Sequence, residues 1–295
     1  MKLCSSLPVT ERAQPWLGTL ASIRIEGVPA DEAHQAMDAA FAEIAAVHER
    51  MSFHSPESDV SRLNREAARG AVSVHSLTYS VLECAQECAR RSQGCFDISV
   101  AAELVSRGVL PSPQQAARPE GGSWRDIELL PDGRVYFHRP LWIDLGGIAK
   151  GFAVDRASEC LAGFGIAHSV VNAGGDIRLR GMEAEIIRLS APSDEGMAPV
   201  LELAQGSVAG SCAAPRDGAG EDLSRSVHFH GSGLRPAPPG RFVCVIAEHC
   251  MTADALTKVV MAQGEDSAGL LLEYEAAAWI KDPGRHWQHL GIEIA

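Results

Sequence analysis

The sequence predicts an α/β fold of the α+β kind, a mixed sheet with helices packed on it. Three observations predict it. Residues 31–51 are rich in Ala, Glu and His, and they place Met37, Phe41, Ile44 and Val47 at helical spacing. Several short apolar runs alternate with polar residues or are split by turn residues, as strands are. Between residues 141 and 172 a strand, a helix and a second strand follow one another, which reads as a βαβ-like unit.

Residues 1–16 read as a flexible tail. In residues 17–25, Leu20, Ser22 and Arg24 interleave with Ala21, Ile23 and Ile25, the period of a strand. The helix over 31–51 comes next, then a polar loop at 52–58 with Pro56. A second helix is predicted at 77–91 and an ordered apolar segment at 96–105. The prolines and glycines of 108–122 mark a surface loop. Pro131-Asp132-Gly133 turns between two short strands within 127–137. A strand at 141–145, a helix at 147–161 and a strand at 169–172 follow. Beyond Arg180, strands are predicted at 185–190, 200–203, 241–248 and 276–281. A long loop covers 212–223, and a helix covers 252–263. With no repeat and no break in composition, residues 17–295 read as one domain.

The 295 residues carry a net charge of -12 and 46% apolar residues, an ordinary globular composition. An acidic chain does not attract phosphate backbones or anionic lipid, which argues against nucleic acid as a partner and against membrane insertion. Met1-Lys2-Leu3-Cys4 is followed by no apolar core of a secretion signal. No run approaches the roughly 20 apolar residues of a membrane helix. The eight cysteines are scattered without a CxxC pair, so free thiols in a reducing cytoplasm are expected.

Four clusters can carry chemistry. In residues 143–151, IDLGGIAKG, Asp144 ends a strand, Gly146 and Gly147 turn the chain, and Lys150 sits in the first helical turn. Glycines let a ligand approach the backbone, and helix-start N–H groups favour anions. Spacing alone admits a phosphate cradle and equally a tight turn with a surface lysine. The Walker pattern is absent. In residues 171–178, VNAGGDIR, Asp176 follows a hairpin-like Gly-Gly turn and either stays structural or faces a ligand. In residues 252–258, TADALTK, Thr252 is placed to N-cap a helix with Asp254 in its first turn. Asp254 and Thr257, at i and i+3, share one helix face, as a hard-cation site requires. Finally, His228 and His230 alternate on opposite faces of a strand, so only one can serve a given site as a base.

Together these segments resemble the ApbE family, the FAD:protein FMN transferases. The resemblance rests on IDLGGIAKGFAVD at 143–155 and VNAGGDIR at 171–178. MSFHSPESDVSRLN at 51–64, Cys95-Phe96-Asp97, Leu17-Gly18-Thr19 and Ala253 to Leu256 add to it. It spans roughly residues 17–290 and implies an ApbE-like fold. It also implies cleavage of the FAD pyrophosphate, assisted by magnesium, with FMN passed to a threonine hydroxyl of an acceptor protein. By position, Leu17, His54, Cys95, Phe96, Asp97, Asp144, Lys150 and Asp176 would line the FAD. The Gly147 carbonyl and the Asp254 carboxylate would hold magnesium, with Thr257 beside them, and His228 would take the threonine proton. Four places depart from the family's pattern: His54 stands for a tyrosine, Gly210-Ser211-Cys212 stands for Thr-Ser-Gly, and two more lie around the proposed metal and base. The hydroxyl four residues after the Asp is Lys258 here, so either its ammonium stands in for part of the cation or Thr257 moves in. Residues 230–235 read HGSGLR, without Asp-Pro or Thr-Gly. Two further functions use the same flavin site: a flavin-binding protein without transfer activity, and an FAD pyrophosphatase releasing FMN and AMP.

Overall fold

The computed structural model describes residues 8–113, 118–181, 183–191, 198–213 and 228–293. The strands are β1 (Val9–Trp16), β2 (Thr19–Glu26), β3 (Val72–Ser73), β4 (Ile127–Leu130), β5 (Arg134–Phe137), β6 (His168–Ala173) and β7 (Asp176–Arg180). They continue with β8 (Glu185–Arg188), β9 (Val200–Leu203), β10 (Gly206–Cys212), β11 (Phe242–Ala247), β12 (Ala277–Lys281) and β13 (Gln288–Gly291). The helices are α1 (Ala30–Met51), α2 (Asp59–Glu66), α3 (Ser76–Arg91), α4 (Ala101–Ser106), α5 (Ala149–Gly163), α6 (Cys250–Gln263) and α7 (Ala268–Glu273).

The main sheet runs β1-β2-β6-β7-β10-β11-β12-β13. Every strand pairing among the described residues is antiparallel. The α+β form of the expected class is what folds, without the parallel component that a βαβ unit would bring. Alternation along each strand sorts the side chains. Ile23, Val171, Val243 and Val245 point to the face covered by α1, α5 and α6. Leu179, Val208, Cys244 and Ile246 point to the other face, where Leu201 and Leu203 of the β8–β9 hairpin cover them. The α1 stripe Ala33, Ala36, Met37, Ala40, Phe41, Ile44, Val47 and Met51 is buried at helical period, as expected.

Three expectations are corrected. The tail assigned to residues 1–16 is a strand from Val9 onward, in register with β2 from Val9↔Glu26 to Trp16↔Thr19. Leu17 and Gly18, with φ of 56° and 73°, make the two-residue turn that a tight hairpin needs. Its polar composition and Pro15 suit a sheet edge, and Arg12 anchors it to Asp38 of α1 at 2.7 Å. The strand expected at 141–145 joins no sheet. A side chain takes much of a neighbouring strand's place: Asn64 Oδ1 accepts from the Ile143 N–H at 2.7 Å and Asn64 Nδ2 donates to the Ile143 carbonyl at 3.0 Å, while the Asp144 N–H donates to the Ile98 carbonyl at 2.9 Å. With no strand there, the βαβ-like unit is absent, and β6 pairs antiparallel with β2 and β7. The loop expected at 212–223 lies outside the described residues from 214 onward.

Candidate active site

Ile177 and Leu179 of β7 belong to the far face, so Asp176 and Arg178 point toward the helices. The heads of α5 and α6 meet over them. The head of α6 is capped from α5: Asp155 Oδ1 accepts from the Cys250 N–H at 2.9 Å, and Oδ2 from the Met251 N–H at 2.8 Å. Arg178 Nη1 donates to the same carboxylate at 3.1 Å. A carboxylate at the positive end of a helix is stabilising, and here it satisfies two otherwise orphaned donors. Thr252, expected as the N-cap, is the third residue of α6 and lies inside it.

Gly151 is where α5 and α6 touch backbone to backbone. A Cβ there would stand 2.2 Å from the Cys250 carbonyl oxygen. Its N–H donates to Asp254 Oδ2 at 3.2 Å. This close approach brings Lys150, Asp176, Asp254 and Lys258 into one cluster. Lys150 Nζ is hydrogen-bonded to Asp176 and lies 3.6 Å from Asp254 Oδ2. Lys258 Nζ donates to Asp254 Oδ1 at 2.7 Å, Thr257 Oγ1 at 2.8 Å and Ser211 Oγ at 3.1 Å. The carboxylates lie at the back, with side chains 1% and 0% exposed. The lysine side chains are more open, with Lys150 28% and Lys258 21% exposed.

Charge balance sets the protonation states. Burial, reinforced by Asp254, pushes the Asp176 carboxyl up to about 6 against the pull of Lys150. Burial also works on Asp254, but Lys150 and Lys258 outweigh it and hold this carboxyl below its ordinary value. Lys150 pays for burial in the opposite sense, and Asp254 and Asp176 more than restore it, raising its pKa. His228 reaches the same cluster. Burial first, then Lys258 and Lys150, lower its imidazole to about 3, so it is neutral at physiological pH.

The other sequence-predicted residues form a rim. Phe96 and the methylene stem of Lys258 pack over Gly147, 3.8 Å and 3.3 Å from where a Cβ would be. Asp144 accepts from the Gly146 N–H at 3.1 Å; burial raises its pKa, opposed by that bond and by nearby His54. The turn holding Leu17 abuts the turn before Asp176, since a Cβ on Gly174 would stand 2.6 Å from Thr19 Oγ1. Two residues are committed inward. Asp97 caps the following turn by accepting from Ser99 N at 2.8 Å and also accepts from Trp124 N at 3.2 Å. Cys95 is 2% exposed, and burial pushes its thiol up to about 12.

The magnesium implied by resemblance does not fit this arrangement. The oxygens of Asp254, Thr257 and Ser211 are taken by the Lys258 ammonium, and its stem fills the space over Gly147. Among the described residues no group of three or more His, Cys, Asp or Glu is placed to hold a metal ion. Sequence reasoning missed Asp155, Gly151 and Arg178 as site-builders. Gly151 carried a signal, a glycine inside a helix with no cap to explain it; the partners of Asp155 lie about a hundred residues away and left none.

Fold and site together define an α+β protein whose centre holds two lysines against two buried carboxylates. The chain belongs to the ApbE family, which it matches over residues 17–280. It is 25% identical over 298 aligned residues to an FAD:protein FMN transferase of Treponema pallidum, covering 89% of this chain and 81% of that one. It is 27% identical to an FAD:protein FMN transferase of Vibrio cholerae, covering 75% and 71%. The crystal structure of the ApbE protein of Thermotoga maritima superposes with a TM-score of 0.77 at 25% identity, covering 96% of this chain and 97% of that one.

Proposed function

We propose that this chain is an FAD:protein FMN transferase that moves FMN from FAD to a threonine of an acceptor protein. The observation that carries the reading is the pair of lysines, Lys150 and Lys258, held by the buried carboxylates of Asp176 and Asp254 where α5 and α6 meet over β7. Two ammonium groups fixed by ion pairs give a pyrophosphate preorganised cationic partners, and preorganised charge is a large catalytic term in phosphoryl transfer. Family membership and the two transferase relatives support the same reading.

The chemistry follows from the placement. Phe96, His54, Asp144 and the Leu17 turn line the flavin nucleotide, and Cys95 and Asp97 hold the Phe96 loop from behind. The acceptor hydroxyl attacks the phosphorus of the FMN half. A new P–O ester bond forms, the bridging P–O bond breaks, and AMP leaves with the bridging oxygen. The hydroxyl proton passes to His228, whose imidazole is neutral and so able to accept it. Asp254 and Asp176 position the lysines. No step is assigned to magnesium.

No helix among the described residues is long and apolar enough to cross a membrane. The cytoplasm is the compartment in this reading, supported by the seven free cysteines among the described residues. The test is incubation with FAD and an acceptor domain carrying a target threonine, followed by in-gel flavin fluorescence. A labelled acceptor is the expected result. Free FMN and AMP without label would replace transfer by hydrolysis, and intact bound FAD would leave a carrier. No FAD binding would remove the flavin reading altogether.

A further inference from the structure

We propose that Lys258 supplies, from within the chain, the positive charge that a divalent cation would otherwise bring to the pyrophosphate, so that this protein binds and processes its dinucleotide without a metal. The identity of the dinucleotide rests on the proposed transferase function; the built-in cation rests on the cluster itself.

An ammonium has three donors, and all three of Lys258 are used on the oxygens a hard cation would need. Asp254 Oδ1 lies at 2.7 Å, Thr257 Oγ1 at 2.8 Å and Ser211 Oγ at 3.1 Å. The acceptors have further partners of their own. Thr257 Oγ1 donates to the Asp254 carbonyl at 2.7 Å and shares a hydrogen with Ser211 Oγ at 2.9 Å. Asp254 Oδ2 accepts from the Gly151 N–H at 3.2 Å and faces Lys150 at 3.6 Å. No oxygen is left with only water for a partner.

Charge counts the same way. Lys150 and Lys258 offset Asp176 and Asp254, so the cluster is neutral as folded. A divalent ion seated among these oxygens would stand in contact with an ammonium, with no further carboxylate to compensate it. The lysine stem also closes the space physically. Its Cε and Cγ each lie 3.3 Å from where a Cβ on Gly147 would be, so it crosses the turn directly and cannot give way to an ion without leaving Asp254. The geometry keeps the substitute useful: the Lys258 side chain is 21% exposed, and the buried Asp254 carboxylate fixes its charge in place. With its three N–H groups taken, the ammonium acts on a phosphate oxygen through its charge, as a fixed cation does, and not by donating a hydrogen bond.

The test uses the full chain, Lys258→Thr and Lys258→Met, with Mn²⁺ as the metal probe followed by electron paramagnetic resonance and FAD binding followed by flavin fluorescence. The wild type is expected to take up no Mn²⁺ and to bind FAD with the same affinity, to about twofold, in EDTA and in excess magnesium. Lys258→Thr, which opens the seat and adds a hydroxyl, is expected to bind Mn²⁺. It should lose about tenfold in FAD affinity in EDTA and recover it with magnesium. Lys258→Met keeps the stem over Gly147 without the charge; it is expected to lose FAD affinity and not recover it with metal. Mn²⁺ bound by the wild type as tightly as by Lys258→Thr, or FAD binding by the wild type only with magnesium, overturns the proposal. If Lys258→Thr does not fold, the wild type and Lys258→Met decide it. Failure to label any acceptor would remove the transferase and leave the Mn²⁺ result standing, so the two readings fail separately.

Discussion

Replacing Gly151 with alanine tests whether the site depends on backbone contact between α5 and α6. The added Cβ would stand 2.2 Å from the Cys250 carbonyl oxygen, 2.6 Å from its carbonyl carbon and 2.8 Å from the Met251 Cα. Ordinary contact begins near 3.5 Å, so the helices must part by about 1.3 Å. All three obstacles are backbone, so no rotamer change relieves them. Overpacking of this kind costs about 1–3 kcal/mol. The bond from the Gly151 N–H to the Asp254 carboxylate stretches as the helices part, and hydrogen bonds to charged groups are worth about 1.5–3 kcal/mol. Alanine's better helix propensity returns only about 1 kcal/mol. The net loss is roughly 2–4 kcal/mol, or roughly 5–10 °C in Tm for a domain of this size. FAD affinity should fall with it, because Asp254 and Lys258 ride on α6 and Lys150 on α5. Gly163→Ala is the control: it lies at the exposed end of the same helix with nothing within 4 Å of its Cβ, so it should be neutral or slightly stabilising. Urea denaturation followed by tryptophan fluorescence, with an FAD titration of each variant, reads both effects. A Gly151→Ala protein as stable as the wild type would refute the reasoning.

Asp155→Ala removes the acceptor for two α6 N–H groups and the carboxylate partner of Arg178, which keeps Ser207 Oγ and the Glu248 carbonyl as neutral acceptors; this should cost roughly 3–5 kcal/mol in urea denaturation. A loss under about 1 kcal/mol would mean that α6 is capped in some other way. Binding of FAD should also tighten as pH falls through 6. Asp176, with its pKa raised to about 6, is about one-tenth protonated at pH 7 and about three-quarters at pH 5.5. Each proton gained moves the cluster from neutral to one positive charge, because Asp254 stays ionised and His228 stays neutral over that range. The apparent Kd should drop roughly threefold to tenfold, and Asp176→Asn should abolish the pH dependence. A Kd flat with pH in the wild type would show that Asp176 does not set the charge facing the ligand.

Elements with a strong period or a marked turn were legible in the sequence. The α1 stripe, the hairpin at Pro131-Asp132-Gly133 and the glycine turn before Asp176 all form where local pattern places them. The misses share a cause: their structure is decided by a distant partner. Residues 141–145 have a strand's composition, but Asn64 takes the place of a neighbouring strand. Gly206–Cys212 reads Gly-Ser-Val-Ala-Gly-Ser-Cys, a loop's composition, yet it lies between β7 and β11 with Ser211 beside Thr257. At the site, spacing left Lys150 undecided between a surface lysine and a ligand group. Its contacts with Asp176 and Asp254, 26 and 104 residues away, place it in the centre. The FAD-lining set inferred by resemblance divides in the structure: Phe96 is buried against Gly147, Asp144 stays half-buried on the same turn, and Asp97 and Cys95 are tied into the loop that carries Phe96.

The capping of α6 by Asp155 has a consequence for how the protein is made. The bonds from Cys250 and Met251 to Asp155, and from Gly151 to Asp254, join residues 95 to 103 positions apart. Contacts of such long sequence separation close only after the intervening chain has been collected, so they are gained late in folding and missing from a nascent or truncated chain. The lysine pair is therefore assembled only when nearly the whole polypeptide is in place. An incomplete chain holds Lys150 without the α6 carboxylate that positions it, so it cannot engage the nucleotide prematurely. Recovery of flavin binding during refolding should be a late and cooperative signal, trailing the return of helical structure.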